Sequence, residues 1–151
     1  AGCDATEVYV QGANLVDPAI GEAGDVDTAV ITLQMENGAI AVIDNCRKAV
    51  YGYDQRAEVF GSEGMVAIKN DSQSSAVISN AEGVTGEKPL FFFLERYMEA
   101  YGKEIAAFID AIENDKETPL NVMDGLKPVL MGLAAKKSCE EHRPVKISEI
   151  M

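Results

Sequence analysis

Residues 45–65 read NCRKAVYGYDQRAEVFGSEGM, and this stretch joins a cluster of polar aromatic residues to the start of a strand. Tyr51 and Tyr53 flank Gly52, so in an extended chain both rings point to the same face. The glycine allows another backbone or a ligand to come close, or it marks a bulge. Two phenols beside the Asp54 carboxylate and the guanidinium that follows it can offer several hydrogen bonds to a polyol. The alternative, which the chemistry of these residues alone favours, is a sheet surface with aromatic cross-strand partners.

Alternating apolar and polar residues predict a series of β-strands before and after this stretch. An Asn37-Gly38 turn joins two of them, because this pair tolerates the positive φ that tight hairpins need. The connections are short enough for hairpins, which predicts a largely antiparallel sheet. The segments 12–27 and 81–89 are predicted to be loops. The predicted strands are Thr6–Gln11, Thr28–Met35, Ala39–Arg47, Arg56–Phe60, Met65–Lys69 and Ser75–Asn80.

Two helices follow the strands. The first is predicted over Leu94–Glu113, and the second begins at about Asn121 or Asp124 and ends at Glu140, before a short edge strand over residues 145–147. The first has apolar residues at steps of three and four, which predicts one face buried on the sheet. Its apolar residues are Leu94, Tyr97, Met98, Tyr101, Ile105, Phe108, Ile109 and Ile112. The predicted buried stripe of the second is Leu126, Val129, Leu130, Leu133 and Ala134.

Strands first and helices second predict an α+β fold, in which helices pack on one face of an open sheet. The 151 residues are 47% hydrophobic, enough for the core of one domain covering residues 1–151. The second and third predicted strands carry apolar residues on both sides, so both sheet faces should be covered. Helices can cover one face, and a second subunit is expected to cover the other. The sequence therefore predicts a homodimer or homotetramer formed through the second to fifth strands.

The charge of the chain limits its partners. The formal net charge is −12 and the isoelectric point is about 4.4. Such a chain is repelled by phosphate backbones and by anionic lipid, which argues against nucleic-acid and membrane partners. Cys3, Cys46 and Cys139 form no C-x-x-C pair and His142 is the only histidine, so no metal site is predicted. Free thiols are typical of a reducing compartment, and the expected localisation is cytoplasmic.

Three blocks of the sequence resemble a known family. They are Asn-Cys-Arg with Tyr-Gly-Tyr-Asp and Phe-Gly-Ser-Glu-Gly in residues 45–64, Phe-Leu-Glu-Arg-Tyr-Met-Glu-Ala-Tyr in residues 93–101, and Asp-Gly-Leu in residues 124–126. In this order they resemble the C-terminal domain of inositol 2-dehydrogenases, members of the glucose–fructose oxidoreductase/inositol dehydrogenase superfamily. The resemblance covers essentially the whole chain.

The resemblance implies the substrate-binding and oligomerisation half of an NAD-dependent dehydrogenase that oxidises myo-inositol to the keto-inositol. It raises Tyr101 to a substrate contact, because the tyrosine at that place in the family's block contacts substrate. Tyr53 and Tyr101 are the first candidates for inositol binding, and Tyr51 and Asp54 the second. Alternatives are the same domain of a related sugar dehydrogenase, or a free-standing interaction module without catalysis.

The cofactor and the catalytic residues are expected outside this chain. The family binds NAD through a glycine-rich turn in an N-terminal domain, and no G-x-G-x-x-G occurs here. The Glu-Lys-Pro tripeptide at residues 87–89 spells the family's catalytic motif, but it falls in the wrong half of the fold and is interpreted as a coincidence. The chain on its own is expected to bind no NAD and to be inactive.

Overall fold

The computed structural model describes residues 2–150, which divide into two compact units. The first unit comprises the described residues up to Lys48 together with those from Leu120 onward, and the second is Ala49–Pro119. In chain order the elements are β1 (Ala5–Ala13), α1 (Pro18–Glu22), β2 (Thr28–Met35), β3 (Ile40–Cys46), β4 (Ala57–Gly61), β5 (Gly64–Ile68), β6 (Val77–Asn80), β7 (Gly83–Gly86), α2 (Phe93–Glu113), α3 (Val122–Glu141) and β8 (Val145–Lys146). The predicted α+β class with open antiparallel sheets is confirmed.

The first unit is built on a four-stranded antiparallel sheet with the order β3-β2-β1-β8. Val10 pairs with Ile31, which pairs in turn with Ile43, so one row of aliphatic side chains crosses three strands. Because side chains alternate along a strand, Val10 and Ile31 face the same side as the residues two positions away, and this side carries the core. The predicted return of the chain as an edge strand is confirmed by β8. The core consists of Val8, Val10, Ala134 and Val145, with Ala29, Ile31, Leu33, Ala135, Cys139, Ile147 and Ile150 packed around it.

Helix α3 meets this sheet through small side chains. Ala134 and Ser138 are fully buried, and the backbone N–H of Val10 donates to Ser138 Oγ at 3.0 Å. The same hydroxyl donates to the carbonyl oxygen of Arg143 at 2.6 Å, which ties the end of the helix to the strand that follows. The small residues let the helix approach the strands closely. The predicted stripe is therefore wrong at three positions, since Leu126, Val129 and Leu133 are exposed.

A buried carboxylate organises the loop between β1 and β2. Asp27 Oδ2 accepts hydrogen bonds from the N–H groups of Val16 and Asp17, at 2.8 and 2.9 Å, and Oδ1 accepts one from Leu15 N–H at 2.9 Å. The Thr28 hydroxyl donates to Oδ1 at 2.8 Å. Burial alone would raise the pKa of Asp27, but these hydrogen bonds outweigh it and lower the pKa from 3.8 to about 2. The charged carboxylate is thus the form that the fold prefers.

Asp27→Asn is expected to lower the thermal midpoint by several degrees, because the amide NH2 would face N–H groups that need an acceptor. Because the pKa of Asp27 is lowered by folding, the free energy of unfolding also depends on pH. The contribution of Asp27 to stability is complete above the unfolded pKa, near 3.8, and is lost as the pH falls through about 2. The free energy of unfolding, measured from pH 2 to 7, should fall less between pH 4 and 2 in the variant than in the unmodified protein. Asp25→Asn is the matched control, because among residues 2–150 the Asp25 carboxylate accepts a hydrogen bond only from the adjacent Val26 N–H. Equal behaviour of the two variants would contradict the role of Asp27.

The second unit contains two hairpins and helix α2. Strand β4 pairs with β5, and β6 pairs with β7. The sequence placed all strands in one sheet, whereas the structure distributes them among three. Strand β7 lies in the segment predicted to be a loop, so that prediction is wrong there. The cause is local: Asn80 Oδ1 accepts from the N–H groups of Glu82 and Gly83, which closes a tight turn and brings the chain back as a strand.

The apolar face of α2 is not buried on a sheet, contrary to the prediction. Seven of its eight apolar residues are between 44% and 65% exposed, and only Tyr97 is more enclosed. The helix itself is predicted within one residue, since it begins at Phe93 and ends at Glu113. Periodicity defines an apolar face on a helix but does not identify what packs against it. The seven exposed residues are Leu94, Met98, Tyr101, Ile105, Phe108, Ile109 and Ile112.

Candidate functional site

The Tyr-Gly-Tyr segment packs tightly against another part of the second unit. The N–H of Tyr53 donates to the carbonyl oxygen of Leu90 at 2.7 Å. The N–H of Leu90 donates in turn to the carbonyl oxygen of Asp71 at 2.9 Å. Gly52 is buried with φ +149°, and a Cβ there would lie 2.7 Å from the carbonyl oxygen of Pro89. The sequence expectation of a close backbone approach at Gly52 is confirmed.

Three tyrosines form a row beside this segment. The ring centroids of Tyr53 and Tyr97 are 5.7 Å apart at 83°, and those of Tyr97 and Tyr101 are 6.3 Å apart at 66°. Edge-to-face contacts of this kind are favourable for aromatic rings and leave the hydroxyl groups at the rim. The hydroxyl oxygens of Tyr97 and Tyr53 lie 3.5 Å apart, which is longer than an ordinary hydrogen bond between two hydroxyl groups. We call Tyr53, Tyr97 and Tyr101 the tyrosine row.

A second group surrounds Asp54. Its carboxylate accepts from the Tyr51 hydroxyl, from Arg56 Nε at 2.7 Å and from Asn70 Nδ2 at 2.7 Å. A further bond from Arg56 Nη2, at 3.0 Å, completes the set. Hydrogen bonds from Arg56, and then from Tyr51 and Asn70, hold the pKa of Asp54 well below its usual range, and the bond to Asp54 raises the pKa of Tyr51. We call Tyr51, Asp54, Arg56 and Asn70 the Asp54 cluster.

The four residues predicted to bind substrate all lie in the second unit, but they separate into these two groups. Tyr53 and Tyr101 belong to the tyrosine row and are linked through Tyr97. Tyr51 and Asp54 belong to the Asp54 cluster, where they bond to each other. The expectation that both tyrosine rings share one face assumed an extended chain, whereas residues 50–52 form a turn and a bend. The chain is therefore not extended at Tyr51, and the reason for expecting both rings on one face does not apply.

Three further residues connect the groups and were not singled out from the sequence as site residues. Tyr97 joins Tyr53 to Tyr101, and it donates to Gln55 Oε1 at 2.7 Å. Asn70 accepts the N–H of Gln55 at 2.7 Å while donating to Asp54. The spacing of Tyr97 one turn before Tyr101 was a usable signal. The sequence around Asn70 offered no such signal, because the role of Asn70 depends on which segment of the folded chain lies next to Asp54.

The chemistry of this arrangement is hydrogen bonding to a neutral, polar ligand. The tyrosine row offers phenol hydroxyls and flat aromatic surface, and the Asp54 carboxylate is already paired with Arg56. The G-x-G-x-x-G turn through which a strand–turn–helix segment holds a pyrophosphate does not occur in the sequence. Within residues 2–150, no group of three His, Cys, Asp or Glu side chains is placed to hold a metal ion. No described helix is long and apolar enough to span a membrane.

Comparison with known proteins places these features in context. The family described as "Oxidoreductase family, C-terminal alpha/beta domain" matches residues 3–147. A myo-inositol 2-dehydrogenase of Thermotoga maritima is 46% identical over 150 residues, which are 99% of this chain and 45% of that protein. This chain thus spans less than half the length of that relative.

Solved structures agree with the sequence comparison. A probable dehydrogenase from Thermotoga maritima matches with a TM-score of 0.96 and 46% identity, over 99% of this chain and 45% of that one. A scyllo-inositol dehydrogenase from Lactobacillus casei, with bound NAD(H) and scyllo-inositol, matches with a TM-score of 0.88 and 26% identity, over 98% of this chain and 44% of that one. With a match that covers nearly all of its residues, the chain belongs to this oxidoreductase family and corresponds to the family's C-terminal alpha/beta domain.

Proposed function

We propose that this chain is the substrate-binding and oligomerising half of an NAD-dependent inositol 2-dehydrogenase, in which myo-inositol is oxidised to the keto-inositol. Two of the relatives named above are a myo-inositol 2-dehydrogenase and a scyllo-inositol dehydrogenase, and the resemblance of the Tyr-Gly-Tyr-Asp segment points to the same class of substrate. In this proposal the chain is cytoplasmic, and the residues that bind NAD and carry out proton transfer lie outside it.

The observation that carries the proposal is the tyrosine row. Two of its three members, Tyr53 and Tyr101, come from segments far apart in the sequence, and the ring contacts through Tyr97 bring them together. A polyol ring has apolar C–H groups on its faces and hydroxyls around its edge. Aromatic rings with hydroxyl tips match both features, because the same side chain offers apolar surface and a hydrogen bond.

The task of these residues is to hold and orient the substrate. Fixing several hydroxyls of the ring restricts the remaining carbinol to one position, and such orientation can supply much of a reaction's acceleration. Oxidation at that carbinol uses a nicotinamide as hydride acceptor, and no step of the hydride or proton transfer is assigned to this chain. Tyr53 and Tyr101 are the proposed direct contacts. Tyr51 and Asp54 shape the segment that carries Tyr53.

The proposal predicts the effect of removing single hydroxyls. In the full-length enzyme, Tyr53→Phe and Tyr101→Phe should each lower kcat/KM for myo-inositol by about three- to tenfold, because a neutral hydrogen bond is worth roughly 0.5–1.5 kcal/mol. Steady-state kinetics measures this loss, and thermal midpoints should hardly change. Tyr9→Phe is the matched control, since Tyr9 lies on β1 in the other unit. Full efficiency in both site variants would show that these rings are only structural.

A further inference from the structure

Gln55 stands between the tyrosine row and the Asp54 cluster and is held by both. Its backbone N–H donates to Asn70 Oδ1 at 2.7 Å, and Asn70 is fixed in turn by its bond to Asp54. Its side-chain oxygen accepts the Tyr97 hydroxyl at 2.7 Å. An exposed glutamine usually samples many conformations, and ordering it costs entropy. Two anchors on one residue therefore distinguish Gln55 from an ordinary surface glutamine.

The anchors also determine which end of the carboxamide is available. A phenol has one proton to donate, and Tyr97 gives it to Gln55 Oε1, so this oxygen acts as the acceptor. The amide nitrogen, with two N–H donors, is then directed away from Tyr97. Among residues 2–150, this nitrogen makes no hydrogen bond, and Gln55 is exposed. The site thus presents an oriented, uncharged donor beside the hydroxyl of Tyr97.

Asp54 and Tyr51 are less suited to direct recognition. The Asp54 carboxylate already accepts four hydrogen bonds, which is about its full capacity. The Tyr51 hydroxyl gives its proton to Asp54. Both are positioning residues for the segment 51–55. Besides the Tyr53 hydroxyl, this segment offers a ligand the carboxamide of Gln55 as a donor.

We infer that Gln55 is a specificity-determining residue, whose NH2 group donates to one hydroxyl oxygen of a cyclic polyol and selects the configuration at that carbon. This inference rests on the proposed function and extends it to the choice among substrates. When that hydroxyl has the opposite configuration, its oxygen leaves the line of the N–H group, and the donor loses its partner. Sites built to bond a particular hydroxyl discriminate strongly against analogues that fail to supply it.

Three variants of the full-length enzyme separate the two ends of the carboxamide. Gln55→Glu keeps an acceptor for the Tyr97 hydroxyl but replaces the outward donor by an acceptor. Gln55→Met has a similar length and removes both functions. Tyr97→Phe removes the anchor and leaves the carboxamide intact. Gln73→Glu is the matched control, because Gln73 is an exposed glutamine of the same unit and the change adds the same charge.

The measurement is kcat and KM for two inositols that differ in the configuration of one hydroxyl, myo-inositol and scyllo-inositol. We expect Gln55→Glu to change the ratio of the two kcat/KM values by about tenfold or more, mainly through KM of the preferred inositol. Gln55→Met should act in the same direction, and Tyr97→Phe should give a smaller change. Gln73→Glu should leave the ratio as in the unmodified enzyme.

The outcomes separate this inference from the function on which it rests. If the unmodified enzyme oxidises neither inositol, the proposed function is refuted, and the role of Gln55 with it. If the unmodified enzyme oxidises an inositol but Gln55→Glu keeps the original preference, only the role of Gln55 is refuted. Equal losses for both inositols in Gln55→Glu would likewise reduce Gln55 to a structural residue.

Discussion

Gly52→Ala is expected to destabilise the protein by roughly 2–4 kcal/mol and, in the full-length enzyme, to remove most of the proposed activity towards inositol. Two costs add at this position. The backbone has φ +149°, a conformation that side-chain-bearing residues rarely adopt. A methyl group would also lie 2.7 Å from the carbonyl oxygen of Pro89, which is a backbone atom and cannot rotate away.

The functional loss follows from what Gly52 holds in place. Relief of the clash requires the segment to move away from Pro89 and Leu90, which breaks the 2.7 Å hydrogen bond between Tyr53 N–H and Leu90 O. Tyr53 would then shift relative to Tyr97, and small errors in the position of a binding group cost much of its effect. Denaturant unfolding measures the first consequence, and kcat/KM of the full-length enzyme measures the second.

Two other glycines separate the contributions. Gly83 has φ +145° but no atom near the place of a Cβ, so Gly83→Ala should show the backbone strain alone, about 1–3 kcal/mol. Gly86 has neither a positive φ nor a close neighbour, and Gly86→Ala should be nearly neutral. If Gly52→Ala is no more harmful than Gly83→Ala, the close approach to Pro89 has no energetic importance.

The strands and the turns were predictable because their signals are local. Strand β2 covers the predicted residues Thr28–Met35, and Gly38 adopts φ +86° in the expected Asn-Gly turn. Alternation and turn residues act within a few positions of each other, so the sequence alone specifies them. The bounds of α2 are equally local, because they depend on a run of residues with helical periodicity.

The contacts between helices and sheets were much less predictable from the sequence. The large apolar residues of α2 and α3 suggested the buried faces, yet α3 meets its sheet through Ala134 and Ser138. Size ranks side chains by the area they can bury, but close helix–sheet contact favours small residues that carry little periodic signal. The division of the strands among three sheets depends on long-range pairing, such as β1 with β8, which no local pattern encodes.

In the candidate site, too, some residues were predictable from local sequence and others were not. Gly52 and the tyrosines around it were recognisable from their chemistry, since a glycine between two phenols is unusual in a strand. Asn70 and Gln55 were not, because each becomes informative only through a partner: Asp54 for Asn70, and Tyr97 for Gln55. Polar residues that orient a site act through geometry, and geometry arises only after the chain has folded.

The protein is expected to form a homodimer or homotetramer through apolar surface that its own residues leave open. On the four-stranded sheet, Ile40 and Val42 of β3 are 72% and 64% exposed, on the face opposite the core. The hairpin β4–β5 carries further exposed residues, including Phe60 at 84%. Exposed apolar surface of this kind, present on each unit taken by itself, typically marks interaction surfaces on folded proteins. The largest favourable term in association is the burial of such surface.

Charge opposes this association and provides a second observable. Each copy carries a formal net charge of −12, so two copies repel each other at low ionic strength. Added salt screens this repulsion and strengthens apolar association. Light scattering at micromolar concentration should therefore show a dimer or tetramer whose population rises with salt. If association instead depended on intersubunit ion pairs, salt would weaken it.

A single substitution identifies the surface. Val42→Lys places a charge on the exposed face of the edge strand β3 and should convert the oligomer to a monomer, because a desolvated lysine without a partner is costly. The lysine also reduces the net negative charge, so general repulsion cannot account for the dissociation. Leu15→Lys adds the same charge at an exposed residue of the β1–α1 loop and should leave the oligomer intact. An unmodified protein that is monomeric in high salt would contradict assembly itself, and an oligomer that survives Val42→Lys would exclude this face as its interface.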